Sequence, residues 1–483
     1  GPLEGRDVVV PVDNIIGGGD GAGEGWKMLM QQLAGGRAVS LPAGAVGGAK
    51  VAALATGAYS MVRQQFGLPI GRMDGVEEKV GRLAGLSYLL EASRIFGCSA
   101  IDAGEQPPVI SAVLKAYTTE LAQQLSIDGM DVFAGAAVMQ GPNNILGMGY
   151  KSAPVGITVE GANILTRTLM IFGQGATRCH PYALKVVEAV EKDDTEQFRN
   201  SLLGWMRHFG LGLLRAEGHY LTRGWLVSVP DVAPETRRYY RRLGWASARF
   251  GVMTDLAMFA IGGNLKRRGK LTGRYADVLA WLVLGASTLR RYEAEGRRHQ
   301  DLPMVHYALN HALWKIQQAF EDIYRNFGGP LGLWLGTVGI FELRLNPLGA
   351  APTDLMSHRA ALCIQSDNEQ FRRLAYGVYL PKDQTVGLGR LLHAFARVTR
   401  AHPAAERIIK AQKARKLPRG RLPAELAEEA LLAGIIKESE AALLRHALEA
   451  RMEAIEVDTF APEAYFARDN EEAADTYRRV VNA

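Results

Sequence analysis

Glu160 is a lone carboxylate at the end of a short apolar run, and a glycine follows it directly. A helix is predicted to start here and to run to about Phe172. Burial against Ile157 and Val159 would disfavour the charged form of the carboxylate, which would suit it to accept a proton. The competing interpretation is structural, because a glutamate at a helix N-terminus interacts favourably with the helix dipole. The residues alone leave both roles open.

Cysteines and histidines offer no competing site. The cysteines are far apart and include no Cys-x-x-Cys pair, so we predict neither a disulfide framework nor a zinc site; they are Cys98, Cys179 and Cys363. Isolated thiols suit a reducing cytoplasm. His306 and His311 are five residues apart, which places them off a common helical face. We therefore predict no bound metal.

Composition indicates a soluble globular protein of two domains. The chain has 483 residues, more than one hydrophobic core normally organises. Hydrophobic residues make up 48% and charged residues 22%, which is ordinary for such proteins. The net charge of +6 fits an anionic ligand or an acidic membrane surface, and equally an ordinary solvated surface. No motif for reading nucleic acid accompanies it.

The first part of the chain reads as a strand followed by long helices. Residues 8–12 are β-branched and predict a strand, and the glycine-rich residues 17–23 predict a hinge. Helices are predicted from Trp26 onwards, with Pro107 and Pro108 breaking the chain before a helix over residues 109–133. Long helices with short connections predict an antiparallel bundle.

A second helical block follows a connecting region. Apolar spacing predicts a helix from Arg237 that Gly262 ends, and later helices over residues 273–291, 303–327 and 423–453. The basic run at residues 410–421 is either a solvated linker or a segment attracted to acidic lipid headgroups. The predicted fold class is therefore mainly α.

Four residues match a known signature, Glu-Gly-x-Asn-x-x-x-Arg; they are Glu160, Gly161, Asn163 and Arg167. The segment resembles the signature of the acyl-CoA dehydrogenases, and residues 17–37 and 63–70 are similar to flanking segments of that family. Residues 173–181 and the long tail resemble the large bacterial branch of fatty-acid β-oxidation, which carries a C-terminal extension. The similarity is specific up to about residue 190 and weaker to about residue 470.

The resemblance implies the C-terminal portion of such a protein, since family members begin with a helical domain and a β-domain that supply much of the flavin and acyl-CoA site. It divides the chain into the end of a β-domain, a four-helix bundle, a connecting region and a helical extension; these cover residues 1–20, 21–190, 191–240 and 241–483. The extension is expected to pack where relatives that lack it place a neighbouring subunit.

The resemblance also implies roles for individual residues. Glu160 would be the catalytic base. The second location of the base in the family is Gly36 here, which cannot act. Gly161, Arg37 and Arg167 would lie on the substrate side, although both arginines could instead pair with acids.

The implied cofactor is FAD. Arg63 and Phe66 match residues that reach across a dimer to the flavin pyrophosphate. Asp131 and Gly135 fall in the stretch that approaches the flavin, where this sequence departs from the usual glutamine and glycines. Asn163 is expected to cap the helix that follows the base.

The implied function is FAD-dependent α,β-dehydrogenation of medium- or long-chain acyl-CoA to trans-2-enoyl-CoA in fatty-acid β-oxidation. The implied partners are an electron-transfer flavoprotein and a second subunit of a homodimer, and the location is the cytoplasm, with peripheral contact to the inner membrane. Two alternatives stay open: an acyl-CoA oxidase with the same base, and a non-catalytic helical module for oligomerisation or membrane docking.

Overall fold

The computed structural model describes residues 4–25, 28, 35–105 and 107–461, and nearly all of its regular structure is helical. This confirms the predicted fold class. The predicted strand over residues 8–12 is wrong: Val8 to Pro11 lack regular structure and Val12 begins a 3-10 turn. A strand needs a hydrogen-bonded neighbour, and none lies beside this segment in the described part of the chain. The predicted helix start at Trp26 lies outside the described residues.

The first helical block has one long central helix and several partners. Its helices are α1 (Ser40–Val62), α2 (Asp74–Asp102), α3 (Pro108–Phe133), α4 (Gly135–Val138), α5 (Gly147–Thr158) and α6 (Asn163–Cys179). Together with the turns before it, α1 is long and apolar enough to cross a membrane by composition, but half of that stretch is buried inside the fold. Such burial is typical of a core helix in a bundle.

Helix α6 is irregular in the middle. Residues Thr166–Gln174 form a π-helix between two α-helical ends. A π-helical stretch is rare and commonly lies at functional sites. This one begins six residues after Glu160, so it belongs to the segment that positions the signature residues.

A tight hairpin follows α1. Strand β1 (Gln64–Gln65) pairs antiparallel with β2 (Leu68–Pro69), with Gln65 opposite Leu68. The two turn residues, Phe66 and Gly67, both have positive φ, at 52° and 77°. Positive φ at both central positions is the geometry of a two-residue hairpin turn whose twist matches that of the strands.

The second block consists of the remaining helices. They are α7 (Ala183–Glu191), α8 (Thr195–Leu221), α9 (Arg237–Ile261), α10 (Gly269–Ala294), α11 (Leu302–Asn326), α12 (Gly329–Trp334), α13 (Ile340–Leu345), α14 (Asp354–Leu362), α15 (Glu369–Ala375), α16 (Gly387–Lys413), α17 (Ala427–Leu432) and α18 (Glu438–Ile455). Gly262 ends α9 at a φ of 56°, as predicted. The single helix predicted over residues 423–453 is wrong, because Gly434 adopts a φ of 65° between α17 and α18.

The two blocks share one core. Helix α10 packs against α2, α6 and α11, and α16 packs against α1. Gly81 of α2 lets the backbone of α14 approach closely, since a Cβ there would lie 2.4 Å from the Ser357 carbonyl oxygen. Buried side chains form one continuous cluster from Val46 to Ala450. The domain boundary at residues 191–240 stays a prediction, and residues 462–483 lie outside the described part.

His311 is an uncharged member of this core. Its ring lies among Trp281, Tyr307 and Trp314, with centroid distances of 5.3, 6.3 and 5.4 Å. Burial lowers its pKa to about 3, and burial likewise lowers the pKa of His306 to about 4. Both histidines therefore stay neutral in the folded protein at pH values where an unfolded chain would already bind protons.

This arrangement predicts acid-sensitive stability. An unfolded histidine titrates near pH ~6.5, so stability is complete above that value and falls at lower pH by up to about 1.4 kcal/mol per pH unit for each such histidine. His311→Phe should remove the part of this loss that His311 causes. The free energy of unfolding of the variant should therefore rise relative to that of the wild type as the pH falls from 6.5 to 4.5. Urea unfolding at several pH values measures this. Replacement of the exposed His402 is the control, and its free energy of unfolding should depend on pH as that of the wild type does. The same result for His311→Phe would contradict the prediction.

Candidate active site

Glu160 lies in a strained turn between α5 and α6. Its φ is 55° and that of Gly161 is 89°, so two successive residues adopt the left-handed conformation. Helix α6 starts at Asn163, which corrects the predicted start at Glu160. Glu160 therefore precedes the first helical turn. A left-handed glutamate is costly, and such residues cluster at functional sites.

The carboxylate of Glu160 rests on the backbone of Gly36. A Cβ on Gly36 would lie 2.8 Å from Oε1 and 3.3 Å from Oε2. The structure thus brings together the two positions at which the resembling family carries its base. Oε2 is buried without a hydrogen-bond partner among the described residues. Gly36 provides the close contact with the carboxylate. Val159 is 41% exposed, and the predicted burial against Ile157 and Val159 stays a prediction.

Two buried cations bind the carbonyl groups of the turn. Arg37 donates from Nε to the Glu160 carbonyl oxygen at 2.8 Å, and Lys115 of α3 donates from Nζ to the Gly161 carbonyl oxygen at 2.8 Å. Burial lowers the pKa of both cations, while the negative charge of Glu160 opposes that shift. Arg37 was predicted at this site from the resemblance, whereas Lys115 was not predicted. The available signal was a single lysine inside the apolar run of α3.

Asn163 connects the turn to α3 instead of capping its own helix. Its Nδ2 donates to the Ala116 carbonyl oxygen at 3.1 Å and to Thr119 Oγ1 at 3.0 Å. Its Oδ1 accepts from Lys115 Nζ at 2.7 Å. The N-cap residue is Ala162, and no side chain caps this end of α6. The predicted cap is therefore wrong, and the asparagine serves long-range packing.

Arg167 points to the extension. It forms a two-pronged ion pair with Asp277 of α10, with Nε 2.6 Å from Oδ1 and Nη2 bonded to Oδ2. Tyr117 also donates to Asp277 Oδ1 at 2.6 Å. The hydrogen bond to Asp277 raises the pKa of Arg167 further above its usual value. The structure therefore contains the alternative that the sequence left open, in which Arg167 pairs with an acid. A role of Arg167 in substrate binding stays a prediction.

Arg63 and Phe66 lie at the far end of α1. Phe66 is 94% exposed at the tip of the hairpin, and Arg63 ends α1. The 23 residues of α1 span about 35 Å, so this end is remote from Arg37 just before the helix. Within one chain the two clusters are separate. Their predicted contact with one cofactor would need a second subunit.

Asp131 and Gly135 lie at the C-terminal end of α3 and the start of α4. The carboxylate of Asp131 pairs with Lys79 of α2 at 2.7 Å, and Lys79 also bonds Asp128 at 3.2 Å. Gly135 is exposed, and a Cβ there would meet no atom within 4 Å. Gly135 is thus open to a ligand, whereas Asp131 is already paired within the protein. Their flavin roles stay predictions.

An apolar groove begins one helical turn from the Glu160 turn. It has a volume of about 480 Å³ and lies between α1, α3 and α5. Small residues form much of its wall, among them Gly44, Gly48, Ala52 and Gly156. Along α1 the wall extends from Leu41 to Ala52, a distance of about 16 Å. The groove can accept a long, narrow apolar group.

His180, Asp255, Trp205 and His208 form a cluster that the sequence analysis did not find. Ligand atoms of the two histidines and the aspartate lie within 4.8 Å of one another. His180 Nδ1 accepts from two backbone N–H groups, at 3.0 and 3.2 Å, which places the ring proton on Nε2, and Nε2 lies 2.9 Å from Asp255 Oδ1. Trp205 donates to the same oxygen at 2.7 Å. A metal would have to displace that proton, so the cluster is better suited to joining α6, α8 and α9.

Comparison with known families identifies the chain. Residues 177–460 match the family model described as acyl-CoA dehydrogenase, C-terminal, bacterial type, and residues 23–171 match the acyl-CoA dehydrogenase C-terminal domain. The first match alone covers more than half of the 483 residues. The chain belongs to the acyl-CoA dehydrogenase family.

Individual relatives cover smaller parts of the chain. A probable acyl-CoA dehydrogenase of Mycobacterium tuberculosis is 31% identical over 149 residues, 31% of this chain and 22% of the relative. A short-chain-specific acyl-CoA dehydrogenase of Megasphaera elsdenii is 30% identical over 133 residues, 27% of this chain and 33% of the relative. A protein named HemX from Proteus mirabilis is 55% identical over 58 residues, 12% of this chain and 34% of that protein. The chain thus spans 22% to 34% of these relatives.

The fold is shared with a solved acyl-CoA dehydrogenase. The crystal structure of the Bacillus anthracis protein, determined in complex with FAD, superposes with a TM-score of 0.52 at 18% sequence identity. The match covers 71% of this chain and 57% of that protein. The similarity extends the family assignment to the architecture of the acyl-CoA dehydrogenase bundle.

The contacts of Arg167 lead to a prediction about stability. Asp277→Asn in this acyl-CoA dehydrogenase chain should lower the free energy of unfolding by about 1–3 kcal/mol, because it leaves a partly buried guanidinium with a weaker acceptor. Glu429→Gln is the matched control. It removes an ion pair with Arg421 in which the side chains are 42% and 46% exposed, so it should lower the free energy of unfolding much less. Chemical denaturation measures the free energy of unfolding of both variants. Equal losses would show that the Arg167–Asp277 pair contributes no more to stability than an exposed ion pair.

Proposed function

We propose that this chain carries the catalytic base of an FAD-dependent acyl-CoA dehydrogenase, with Glu160 in that role. The observation that carries the proposal is the buried, unpartnered Oε2 of Glu160, held against Gly36 in a left-handed turn. Most buried polar atoms are hydrogen-bonded, so an unpartnered carboxylate oxygen calls for an explanation, and a reaction that uses the atom is one. Family membership and the FAD complex of the Bacillus anthracis relative support the same activity.

The proposed chemistry is removal of an α-proton from an acyl thioester. The α-proton is weakly acidic, so the base must be held against it in a site that excludes water. Glu160 would take the proton on Oε2, and negative charge would develop on the thioester oxygen. The N–H group of Glu160 and the buried cations Arg37 and Lys115 would supply a positive potential for that charge.

The exposed residues support an FAD site only in part. The bound cofactor would accept the β-hydride, and that chemistry belongs to it. Arg63 and Phe66 present a cation and an exposed aromatic ring at the hairpin, which suits a pyrophosphate from a second subunit. Gly135 leaves room for a flat ring, whereas Asp131 is paired with Lys79. We therefore favour Arg63, Phe66 and Gly135 over Asp131.

The sharpest test of the proposed function is Glu160→Gln in the full-length protein. The variant keeps the shape of the side chain and loses its basicity, so dehydrogenation should fall by at least ~10²-fold. The amount of FAD that copurifies, measured by absorbance, should not change. Glu191→Gln, at an exposed position on α7, is the control and should retain full activity. Activity of Glu160→Gln above a tenth of the wild type would remove Glu160 from the mechanism.

The electron acceptor separates the dehydrogenase from the oxidase. Both would use the same base. We favour a dehydrogenase that passes electrons to an electron-transfer flavoprotein, since the relatives in two species are named dehydrogenases. Stoichiometric hydrogen peroxide from acyl-CoA in air, with no rate increase on adding that flavoprotein, would favour the oxidase instead.

The groove supports a long acyl chain and a role in fatty-acid β-oxidation. It starts one turn after Arg37 and extends about 16 Å along α1, with glycines that keep it open. A thioester placed at Glu160 would direct its tail along this apolar surface. Apolar burial of each methylene is favourable by about 0.8 kcal/mol, so each added carbon would strengthen binding until the groove is filled.

Gly48→Leu should shift the preference to shorter acyl chains. A Cβ at Gly48 meets nothing within 4 Å, so the leucine fits the helix and occupies groove volume. We expect kcat/KM to fall about 10-fold or more for C16 acyl-CoA and to change less than 3-fold for C8. Gly251→Leu in α9 is the matched control, since its surroundings are equally open and it lies outside the groove. Equal losses for both chain lengths would contradict the assigned tail site.

Exposed apolar residues support further contacts of the whole protein. Helix α8 exposes Leu203, Leu214 and Leu221, and α13 exposes Phe341 and Leu345. We propose a cytoplasmic homodimer with peripheral contact to the inner membrane. Sedimentation with anionic vesicles tests the membrane contact, and analytical ultracentrifugation tests the dimer. No binding to vesicles at low salt would contradict the membrane contact. A monomer at micromolar protein concentration would contradict the homodimer.

A further inference from the structure

Lys115 is the most completely buried charged group near the Glu160 turn. Lys115 has no exposed surface and reaches the turn from α3. Its ammonium donates to the Gly161 carbonyl oxygen at 2.8 Å and to Asn163 Oδ1 at 2.7 Å. An ammonium buried this deeply is costly unless its bonds are well formed. The interactions with the turn must therefore offset that cost.

The bonds of Lys115 and Arg37 fix two successive peptide groups. Arg37 holds the carbonyl of Glu160 and Lys115 holds the carbonyl of Gly161. Because each peptide group is planar, holding its carbonyl also fixes the direction of the next N–H. Together the two bonds determine φ and ψ of Gly161, the second left-handed residue of the turn, and they hold the peptide plane that begins at the Glu160 Cα. The Glu160 side chain leaves the backbone from that Cα, so its position depends on how this plane is held.

The turn needs such support because its conformation is unfavourable. A left-handed glutamate costs about 1–2 kcal/mol relative to ordinary backbone angles. Strained residues persist only where the surroundings over-determine them. Thr166 Oγ1 adds a weaker bond to the same Gly161 carbonyl at 3.2 Å. Without Lys115 that carbonyl would keep only the long threonine bond among the described residues.

We propose that Lys115 is a positioning residue for the catalytic base: its ammonium, bonded to the Gly161 carbonyl and the Asn163 amide oxygen, holds Gly161 in its left-handed conformation and so keeps the neighbouring Glu160 Cα where its carboxylate contacts Gly36. The assignment rests on the proposed function of Glu160. Lys115 acts on the backbone and makes no hydrogen bond to the carboxylate, so the hold persists whether Glu160 is charged or has just accepted a proton.

The structure contains a matched control for this residue. Lys50 of α1 is also buried, and its Nζ donates to a backbone carbonyl, that of Tyr376, at 2.6 Å. It pairs with Glu91 at 3.4 Å, away from the Glu160 turn. Lys50→Met and Lys115→Met therefore remove the same kind of group from similarly buried sites. A general loss of stability should affect both, and a positioning role should affect Lys115 alone.

The experiment compares both variants in the full-length, FAD-loaded protein. For Lys115→Met we expect kcat to fall about 10- to 100-fold, with KM and FAD content within 2-fold of the wild type, because a base displaced by about 1 Å loses rate without losing substrate binding. Exchange of the substrate α-hydrogen with D₂O should fall by the same factor. Lys50→Met should keep kcat and exchange within 2-fold.

Three results would overturn the positioning role: kcat of Lys115→Met within 2-fold of the wild type, a raised KM at unchanged kcat, or equal losses in Lys50→Met. Should Lys115→Met not fold, Lys115→Gln removes the charge and is one bond too short to reach the Gly161 carbonyl in the same way, so it is judged by the same criteria. Glu160→Gln tells the two proposals apart. If that variant remains active, the proposed function fails, whereas an inactive Glu160→Gln beside a fully active Lys115→Met refutes the positioning role alone.

Discussion

The active region depends on two buried cations that each bind a backbone carbonyl. Arg37 and Lys115 approach the Glu160–Gly161 turn from different helical segments and bond neighbouring peptide groups. The result is a backbone conformation that an L-residue would otherwise leave. The carboxylate itself stays without a hydrogen bond to the described residues on Oε2. The polar contacts thus hold the backbone on which the base is carried, and the reactive oxygen of Glu160 stays available to a substrate.

The extension braces the same segment from the other side. Asp277 of α10 holds Arg167, and Thr272 of α10 donates to the Thr168 carbonyl oxygen at 2.6 Å. Farther along α6, His180 is tied to Asp255 of α9. The helix that follows the base is therefore fixed at its start by α3 and along its length by the extension. In this chain the second helical block is part of the support of the proposed catalytic turn.

Local signals predicted much of the fold. Pro107 and Pro108 set the start of α3, and Gly262 set the end of α9, because these residues act through their own backbone. The strand at residues 8–12 failed because a strand depends on a neighbour that local sequence does not contain. The helix over residues 423–453 failed because Gly434 outweighed a strong alanine and leucine content.

Residues of the site could be predicted from the sequence only where they match a motif of the family. Glu160, Gly36 and Arg37 were found through the resemblance, and the structure places them together. Lys115 and Asp277 were missed because their partners lie 46 and 110 positions away in the chain. Neither carries a local pattern beyond a charge in an apolar helix. Long-range pairing of this kind is decided by packing, and a single sequence does not contain that information directly.

The π-helical segment within α6 has a consequence for how this region can vary in evolution. It spans Thr166–Gln174, between the anchor at Asn163 and the anchor at His180. An inserted or deleted residue in a helix rotates everything beyond it by about 100°. Such a change would turn His180 away from α9 while Asn163 stayed in place. The number of residues in this segment sets the rotation about the helix axis between the two anchors. Its length should therefore be conserved more strictly than its side chains.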